Sequence, residues 1–256
     1  MPLVPAAWND VRRLTGDEES GAAEIARRAA VTLSALPRSD LVEAVRALVR
    51  AHPPMAPLWR LGDIVLSAED HVAAARTFAR TIRREAEAVA AASAAALPTE
   101  VVTLSFSSTL VAAVAAAGAR AWCALSVPGG EGVVTAERLR AGGVDARVVE
   151  DGEAIALASD GTGVVVGADA VGPGGVVNKV GTRALTDAAR RGGAPAYVVA
   201  GSSKLIAVDL PAPPPFERVR LDRFTALIGE RGPVDPTETA RAAARHAVPD
   251  ALRGAL

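Results

Sequence analysis

Residues 163–203 read GVVVGADAVGPGGVVNKVGTRALTDAARRGGAPAYVVAGSS, and this stretch decides the fold. A short apolar run is followed by Asp169, by a Gly/Pro loop at residues 172–175, and by Asn178 and Lys179. The pattern predicts a strand, an acid, a flexible loop and a helix that begins at Asn178. Ligands of open α/β sheets bind outside the carboxyl ends of the strands, and a helix N-terminus there favours an anion. We therefore expect a small phosphorylated ligand at this place.

The rest of the C-terminal half repeats the same alternation of strand and helix. The predicted strands cover residues 100–103, 119–127, 144–149, 162–166 and 194–200, with helical patterns between them. Regular alternation indicates βαβ units and a parallel sheet, so the fold class is α/β with a Rossmann-like domain at residues 98–256. The loop after the first strand has no glycine and the Gly/Pro loop is not a Walker loop, so we predict no cofactor.

The N-terminal half shows helical periodicity and predicts a helical domain over residues 1–97. Asp40 with Glu43 has the spacing of a capping box, and Ser67 with Asp70 forms a second one. The second box opens the longest predicted helix, which runs to the end of this domain and is about 45 Å long. We expect so long a helix to link the helical part to the rest.

Composition excludes several functional classes. The chain has 28 lysines and arginines against 29 acidic residues and no long basic block, so direct binding of nucleic acid is not expected. No apolar run approaches the length of a membrane span, and the first residues lack the pattern of a signal peptide, which predicts a soluble, cytoplasmic protein. The single cysteine, Cys123, lies in an apolar run and indicates a buried thiol. The three histidines lack metal-ligand spacing, so no metal is predicted.

Candidate ligand contacts follow the predicted strands. Only Lys179 and Lys204 among the 28 basic residues are lysines, and a compact ammonium suits a phosphate. Hydroxyls and a flexible glycine at other strand ends add Ser105, Ser107, Ser108, Gly130 and Ser203. The serines are equally typical of ordinary helix caps and turns, so for them both interpretations stay open.

A family resemblance extends over nearly the whole chain. The segment GADAVGPGGVVNKVGTRALTDAARRGGAPAYVVAGSSKL at residues 167–205 resembles the signature of a family that contains the alpha, beta and delta subunits of initiation factor 2B. The same family includes two sugar-phosphate isomerases, which act on methylthioribose 1-phosphate and on ribose 1,5-bisphosphate. Weaker matches are SGAAEIARRAA at 20–30, PPMAPLW at 53–59, TLSFSSTL at 103–110, SVPGGEG at 126–132, FERV at 216–219 and TALIGERGPVDPTE at 225–238.

The resemblance implies a helical domain, a Rossmann-like domain and a homodimer formed through the latter. In the isomerases a cysteine and an aspartate share the proton transfers, and the corresponding residues here are Ser105 and Asp169. The resemblance also implies ligand contacts from Asn178 and Lys179, and from the first motif, which here reads Ser20, Gly21, Ala22.

Departures from the isomerase pattern argue against unchanged chemistry. Three arginines of the isomerases are replaced by Ser20, Val127 and Ala170, and the Ser105 hydroxyl is a far weaker acid than a thiol. Loss of one acid/base partner slows a reaction by roughly 10² to 10⁴. The favoured hypothesis is an initiation factor 2B-like protein that binds a phosphosugar or nucleoside monophosphate without isomerase turnover. The alternatives are a divergent aldose-ketose isomerase that uses Asp169, and a structural subunit with a protein partner and a vestigial pocket.

Overall fold

A computed structural model describes residues 6–246 and Leu252. The first five helices are α1 Ala6–Thr15, α2 Ala22–Leu33, α3 Leu41–Ala51, α4 Ala56–Ser67 and α5 His71–Ser93. The remaining helices are α6 Ser108–Ala117, α7 Glu131–Ala141, α8 Asp151–Ser159, α9 Thr182–Arg191 and α10 Pro236–Ala243. The strands are β1 Glu100–Thr103, β2 Arg120–Ala124, β3 Ala146–Val149, β4 Gly163–Val166, β5 Ala170–Gly172, β6 Gly175–Lys179, β7 Ala196–Val199, β8 Phe216–Val219, β9 Ala226–Gly229 and β10 Gly232–Val234.

A seven-stranded sheet forms the centre of the C-terminal half, in the order β10-β9-β7-β4-β1-β2-β3. All neighbours pair in parallel except β9 and β10. The chain moves outward from β1 in one direction through β2 and β3, and in the other through β4, so the order reverses between β1 and β4. Such a reversal opens a crevice at the carboxyl ends of the two strands. The predicted α/β class, with helices first and a mainly parallel sheet after them, is confirmed.

A second, three-stranded antiparallel sheet is absent from the sequence prediction. Its order is β5-β6-β8, and Gly172 pairs with Gly175 across a two-residue turn. The expected flexible loop at residues 172–175 is therefore a hairpin turn. Asn178 and Lys179, expected at the start of a helix, lie in β6 and pair with Glu217 and Phe216 of β8. The helix α9 begins only at Thr182.

The small sheet belongs to the same apolar core as the first helices. Buried side chains of α2, α3 and α4 pack in one cluster with Ala170 and Val177 of this sheet and with Leu252. The helix α5 contacts α2 and α4 on one side and α6 and β9 on the other. The expectation that the longest helix links the two parts is thus confirmed, although the helix ends at Ser93 rather than at residue 97. The division into domains of residues 1–97 and 98–256, whose outermost residues lie outside the described ones, stays a prediction.

Both predicted capping boxes differ from the structure. Asp70, not Ser67, caps α5, because its side chain accepts a hydrogen bond from the N–H of Ala73, whereas Ser67 is the last residue of α4. Asp40 does precede α3, but its carboxylate accepts a hydrogen bond from Trp8 Nε1 at 2.9 Å and caps nothing. A tertiary partner has replaced the local one. No helix in the described part of the chain is long and apolar enough to cross a membrane.

Two glycines at matched positions test how tightly the sheet edge is packed. Gly132 is the second residue of α7, and a Cβ there would lie 1.9 Å from the carbonyl oxygen of Ala124. Gly152 is the second residue of α8, and a Cβ there would meet no atom within 4 Å.

We expect Gly132→Ala to lower the free energy of unfolding by about 2–3 kcal/mol, since the backbone around Ala124 must move. Gly152→Ala should raise it by about 0.5–1 kcal/mol through helix propensity. Urea unfolding of both variants measures the two changes in stability. Equal changes would contradict the close contact at Gly132.

Candidate functional site

A cavity of about 470 Å³ lies where the loops after β1, β2 and β4 face the first helices. Its walls come from the start of α2, the turn between α3 and α4, the loops of the sheet, and a proline segment before β8. The lining residues that bear on its chemistry are Asp17, Glu18, Glu19, Ser20, Gly21, Ala22, His52, Ser105, Ser107, Ser108, Glu131, Asp169, Asn178, Lys179 and Lys204. The cavity therefore occupies the crevice expected from the strand order.

Ten of the twelve candidate residues line this cavity. They come from four separate stretches of the sequence, so the fold brings together what the sequence analysis could only propose as a group. The other two, Gly130 and Ser203, are not in its wall. Gly130 adopts a left-handed backbone conformation (φ 73°) before α7, and Ser203 donates its N–H to Glu85 at 3.2 Å. Both have structural roles that require no ligand.

The predicted phosphate-side pair, Asn178 and Lys179, is already bonded within the protein. Asn178 donates to Thr182 Oγ1 at 3.0 Å. Lys179, which is 3% exposed, forms a short ion pair with Glu131 Oε1. Both side chains line the cavity, and the expectation that they contact a ligand stays a prediction. A nearly buried ammonium needs a partner, and Glu131 from α7 is that partner.

The N-terminus of α9 is also occupied. The carboxylate oxygen Glu217 Oε1 accepts hydrogen bonds from the N–H groups of Gly181 at 2.9 Å and Arg183 at 3.0 Å. An acid at this position satisfies the free N–H groups and interacts favourably with the helix dipole. The N-terminus of the helix that follows Lys179 is thus capped by the protein itself.

Two other helix N-termini do open into the cavity. The helix α2 follows Gly21, whose cap position carries no side-chain hydrogen bond, and Ala22 and Ala23 line the cavity. The helix α6 begins at Ser108, beside the cap residue Ser107, which bonds only the N–H of Leu110. No side chain among the described residues accepts from the first N–H groups of α2.

The two N-termini lie next to each other. A Cβ on Gly21 would be 3.8 Å from the carbonyl oxygen of Phe106, just before α6. The N-terminal end of each helix carries a partial positive charge, so both helices favour an anion in the same part of the cavity.

Asp169 lies in the cavity wall between β4 and β5. Its N–H donates to Val177 at 2.8 Å and its carbonyl accepts from Ala56 at 3.0 Å, which holds the backbone in place. Burial raises the pKa of the Asp169 carboxyl to about 6, although the nearby Lys204 ammonium lowers it. A carboxylate with a pKa near neutral can accept a proton at physiological pH, as a general base must.

Lys204 connects Asp169 to a second buried acid. Its ammonium donates a short hydrogen bond to the carbonyl oxygen of Ala168, and burial lowers its pKa while Asp169 and Glu85 raise it. Burial likewise raises the pKa of Glu85, which accepts from Ser202 Oγ at 3.0 Å. Lys204 is therefore placed within a charged network of the protein rather than free for a ligand.

Ser105 has an unusual backbone. Its φ is 63°, in the left-handed region, which costs a non-glycine residue free energy and marks a constrained position. Its N–H donates to Ser126 Oγ at 2.7 Å and its carbonyl accepts from Thr135 Oγ1 at 2.7 Å. The loop after β1 is thus held rigidly where the strand order opens the crevice.

Sequence reasoning missed three acids that shape the site: Glu85, Glu131 and Glu217. Each contacts a residue at least 36 positions away, so no local pattern reveals its role. The hairpin that moves Asn178 into a strand did have a signal, because Pro173 and Gly174 form a two-residue turn between apolar runs.

The chain is similar to known proteins in both sequence and fold. The chain matches the sequence profile of the initiation factor 2 subunit family over residues 18–210. No curated protein sequence matches it significantly by sequence search alone. The structure of translation initiation factor eIF-2B from Pyrococcus horikoshii OT3 is similar, with a TM-score of 0.81 and 24% identity over 92% of this chain and 99% of that one.

Two further solved structures share the fold at lower identity. The tetrameric eIF2B-beta2-delta2 complex from C. thermophilum has a TM-score of 0.71 and 18% identity over 94% of each chain. The 5-methylthioribose 1-phosphate isomerase of Pyrococcus horikoshii OT3 has a TM-score of 0.68 and 19% identity over 93% of this chain and 86% of that one. Both translation-factor subunits and a sugar-phosphate isomerase therefore have this architecture.

The raised pKa of Asp169 predicts a pH-dependent stability. The carboxyl titrates near 3.8 in the unfolded chain and near 6 in the folded protein, so folding retains a proton between these values. The free energy of unfolding must then fall as pH rises through this window. Asp169→Asn cannot titrate, so its free energy of unfolding lacks this fall. We expect the difference in free energy of unfolding, Asp169→Asn minus wild type, to grow by about 2 kcal/mol from about pH 4.5 to about pH 7.5. Denaturant unfolding at the two pH values measures this, and the exposed Asp160→Asn is the control. Parallel pH profiles for wild type and Asp169→Asn would contradict the assignment.

Proposed function

Because the chain belongs to the initiation factor 2 subunit family, we propose that it is an initiation factor 2B-like protein whose cavity binds a phosphosugar or nucleoside monophosphate without isomerase turnover. The observation that carries the proposal is the meeting of two helix N-termini in one cavity: that of α2, which has no side-chain cap, and that of α6, where Ser107 caps only the N–H of Leu110. Backbone N–H groups in this arrangement bind phosphate without any cationic side chain. The hydroxyls of Ser107 and Ser108 beside them can donate further hydrogen bonds, whereas the Ser20 hydroxyl already donates to Asp17 Oδ2 at 2.9 Å.

The distribution of charge supports this position for the phosphate. Lys179 is paired with Glu131, and Lys204 lies among Ala168, Asp169 and Glu85, so each ammonium already has a partner within the protein. A phosphate that approached either lysine would compete with that partner for the ammonium. The first N–H groups of α2 have no side-chain acceptor among the described residues.

Weak acid/base chemistry supports binding rather than turnover. An aldose-ketose isomerisation needs two groups that move protons between adjacent carbons of an opened sugar. Asp169 can be one of them, but Ser105 is a poor second because a hydroxyl is a far weaker acid than a thiol. The raised pKa of Asp169 nevertheless favours an isomerase as the second candidate.

An acidic side chain at the start of α2 tests the anion site. Gly21 has an extended backbone (φ −72°, ψ 158°) and room for a side chain, so Gly21→Asp can cap α2 without strain. We expect this variant to be as stable as wild type, since aspartate is a favourable N-cap. Its affinity for ribose 5-phosphate or AMP should fall at least about tenfold, because the new carboxylate occupies the anion position and repels phosphate. Calorimetric titration measures the affinity.

The control is Val31→Asp, which adds the same charge to α2 on an exposed residue that does not line the cavity. It should bind like wild type. If neither sugar phosphate nor nucleotide binds the wild-type protein, the structural-subunit hypothesis is favoured instead. If the protein interconverts ribose 1,5-bisphosphate and ribulose 1,5-bisphosphate, and Asp169→Asn abolishes this, the divergent isomerase is the correct function.

We also propose that two copies associate through the sheet-containing half, with a protein partner as a further possibility. Three exposed valines, Val127, Val133 and Val134, lie close together in sequence around the start of α7, and they offer an apolar surface. Light scattering should give twice the chain mass of 26.0 kDa. Val134→Asp should shift the mass towards one copy because a charge is costly in an apolar interface, whereas Val31→Asp should not. A wild-type mass of one chain would overturn the proposal.

A further inference from the structure

We propose that Glu131, through its ion pair with Lys179, makes the cavity selective for ligand charge. The cavity then binds ligands that carry one phosphate and rejects ligands that carry two. This rests on the proposed function, since it assumes that the first phosphate binds at α2 and α6. Glu131 lines the cavity and is paired with Lys179, the lining ammonium that a second phosphate would need.

Glu131 is held in this position from two sides. Its Oε1 pairs with Lys179, whose side chain is 4% exposed and lines the cavity. The carboxylate also lies against Gly129, where a Cβ would be 2.4 Å from Oε1. Only a glycine at position 129 leaves this space, so the local backbone and the buried ammonium together keep the carboxylate in the cavity.

The second oxygen of Glu131 has no partner. Oε2 is buried, and no donor among the described residues bonds it. A buried carboxylate oxygen without a hydrogen bond is costly, and a ligand hydroxyl or amine in the cavity would satisfy it. A phosphate cannot, because at neutral pH it brings negative charge and few protons to donate.

The other charges around the cavity reinforce this preference. Asp169 lines the same cavity as a second acid, and both lysines already have partners within the protein. A ligand with one phosphate and several hydroxyls therefore matches the site at both ends: its anion meets the helix N-termini, and its hydroxyls meet Glu131.

Titration of the intact protein with ribose 5-phosphate and ribose 1,5-bisphosphate tests the inference. Wild type should bind the monophosphate at least about tenfold more tightly. Glu131→Gln removes the negative charge and breaks the ion pair with Lys179. In this variant the ratio of the two affinities should shift at least about tenfold towards the bisphosphate. Glu137→Gln, an exposed residue on the same helix, is the control and should keep the wild-type ratio.

A second variant covers the case in which Glu131→Gln does not fold. Gly129→Ala keeps every charge but displaces the carboxylate from its place, and it should shift the ratio in the same direction. If wild type binds both sugars equally and neither variant changes the ratio of the two affinities, the proposed selectivity is wrong, while the proposed function stands. If wild type binds neither sugar, both proposals fail.

Discussion

The buried ammonium of Lys204 is the interaction on which the arrangement of this site depends. Moving a charged group out of water is so costly that it must be compensated by nearby dipoles and opposite charges. Lys204 finds them in two parts of the chain: the carbonyl of Ala168 with the neighbouring Asp169 after β4, and Glu85 on α5. Glu85 also accepts hydrogen bonds from Ser202 Oγ and the N–H of Ser203, so buried polar contacts join the sheet edge to the long helix.

This network decides what the cavity can offer a ligand. Both lysines have partners within the protein, whereas the first backbone N–H groups of α2 have no side-chain acceptor among the described residues. Such donors are rigid, because they belong to helices whose apolar faces are buried in the two cores. The lysines expected to contact a phosphate line the cavity, and each also has a partner within the protein.

Local sequence patterns predicted the elements of the large sheet well and the small sheet not at all. The alternation of short valine-rich runs with helical segments leaves few arrangements other than a parallel sheet. The run around Asn178 was wrongly predicted as a helix because periodicity in so few residues is ambiguous. Its pairing with β8, nearly forty residues further along, satisfies the backbone groups of β6 and selects the strand.

Local sequence patterns were enough to predict the α/β class, the place of the crevice at the strand ends, and ten of the residues that line it. These follow from local patterns, since strand ends and loops are set by short segments. The partners of those residues became visible only in the folded chain. Glu131, Glu85 and Glu217 come from distant segments, and burial forces each to compensate a charge or a helix end. Charge compensation in a buried site is a property of the whole fold, so the pairing of Lys179 and the capping of α9 could not be inferred from spacing along the chain.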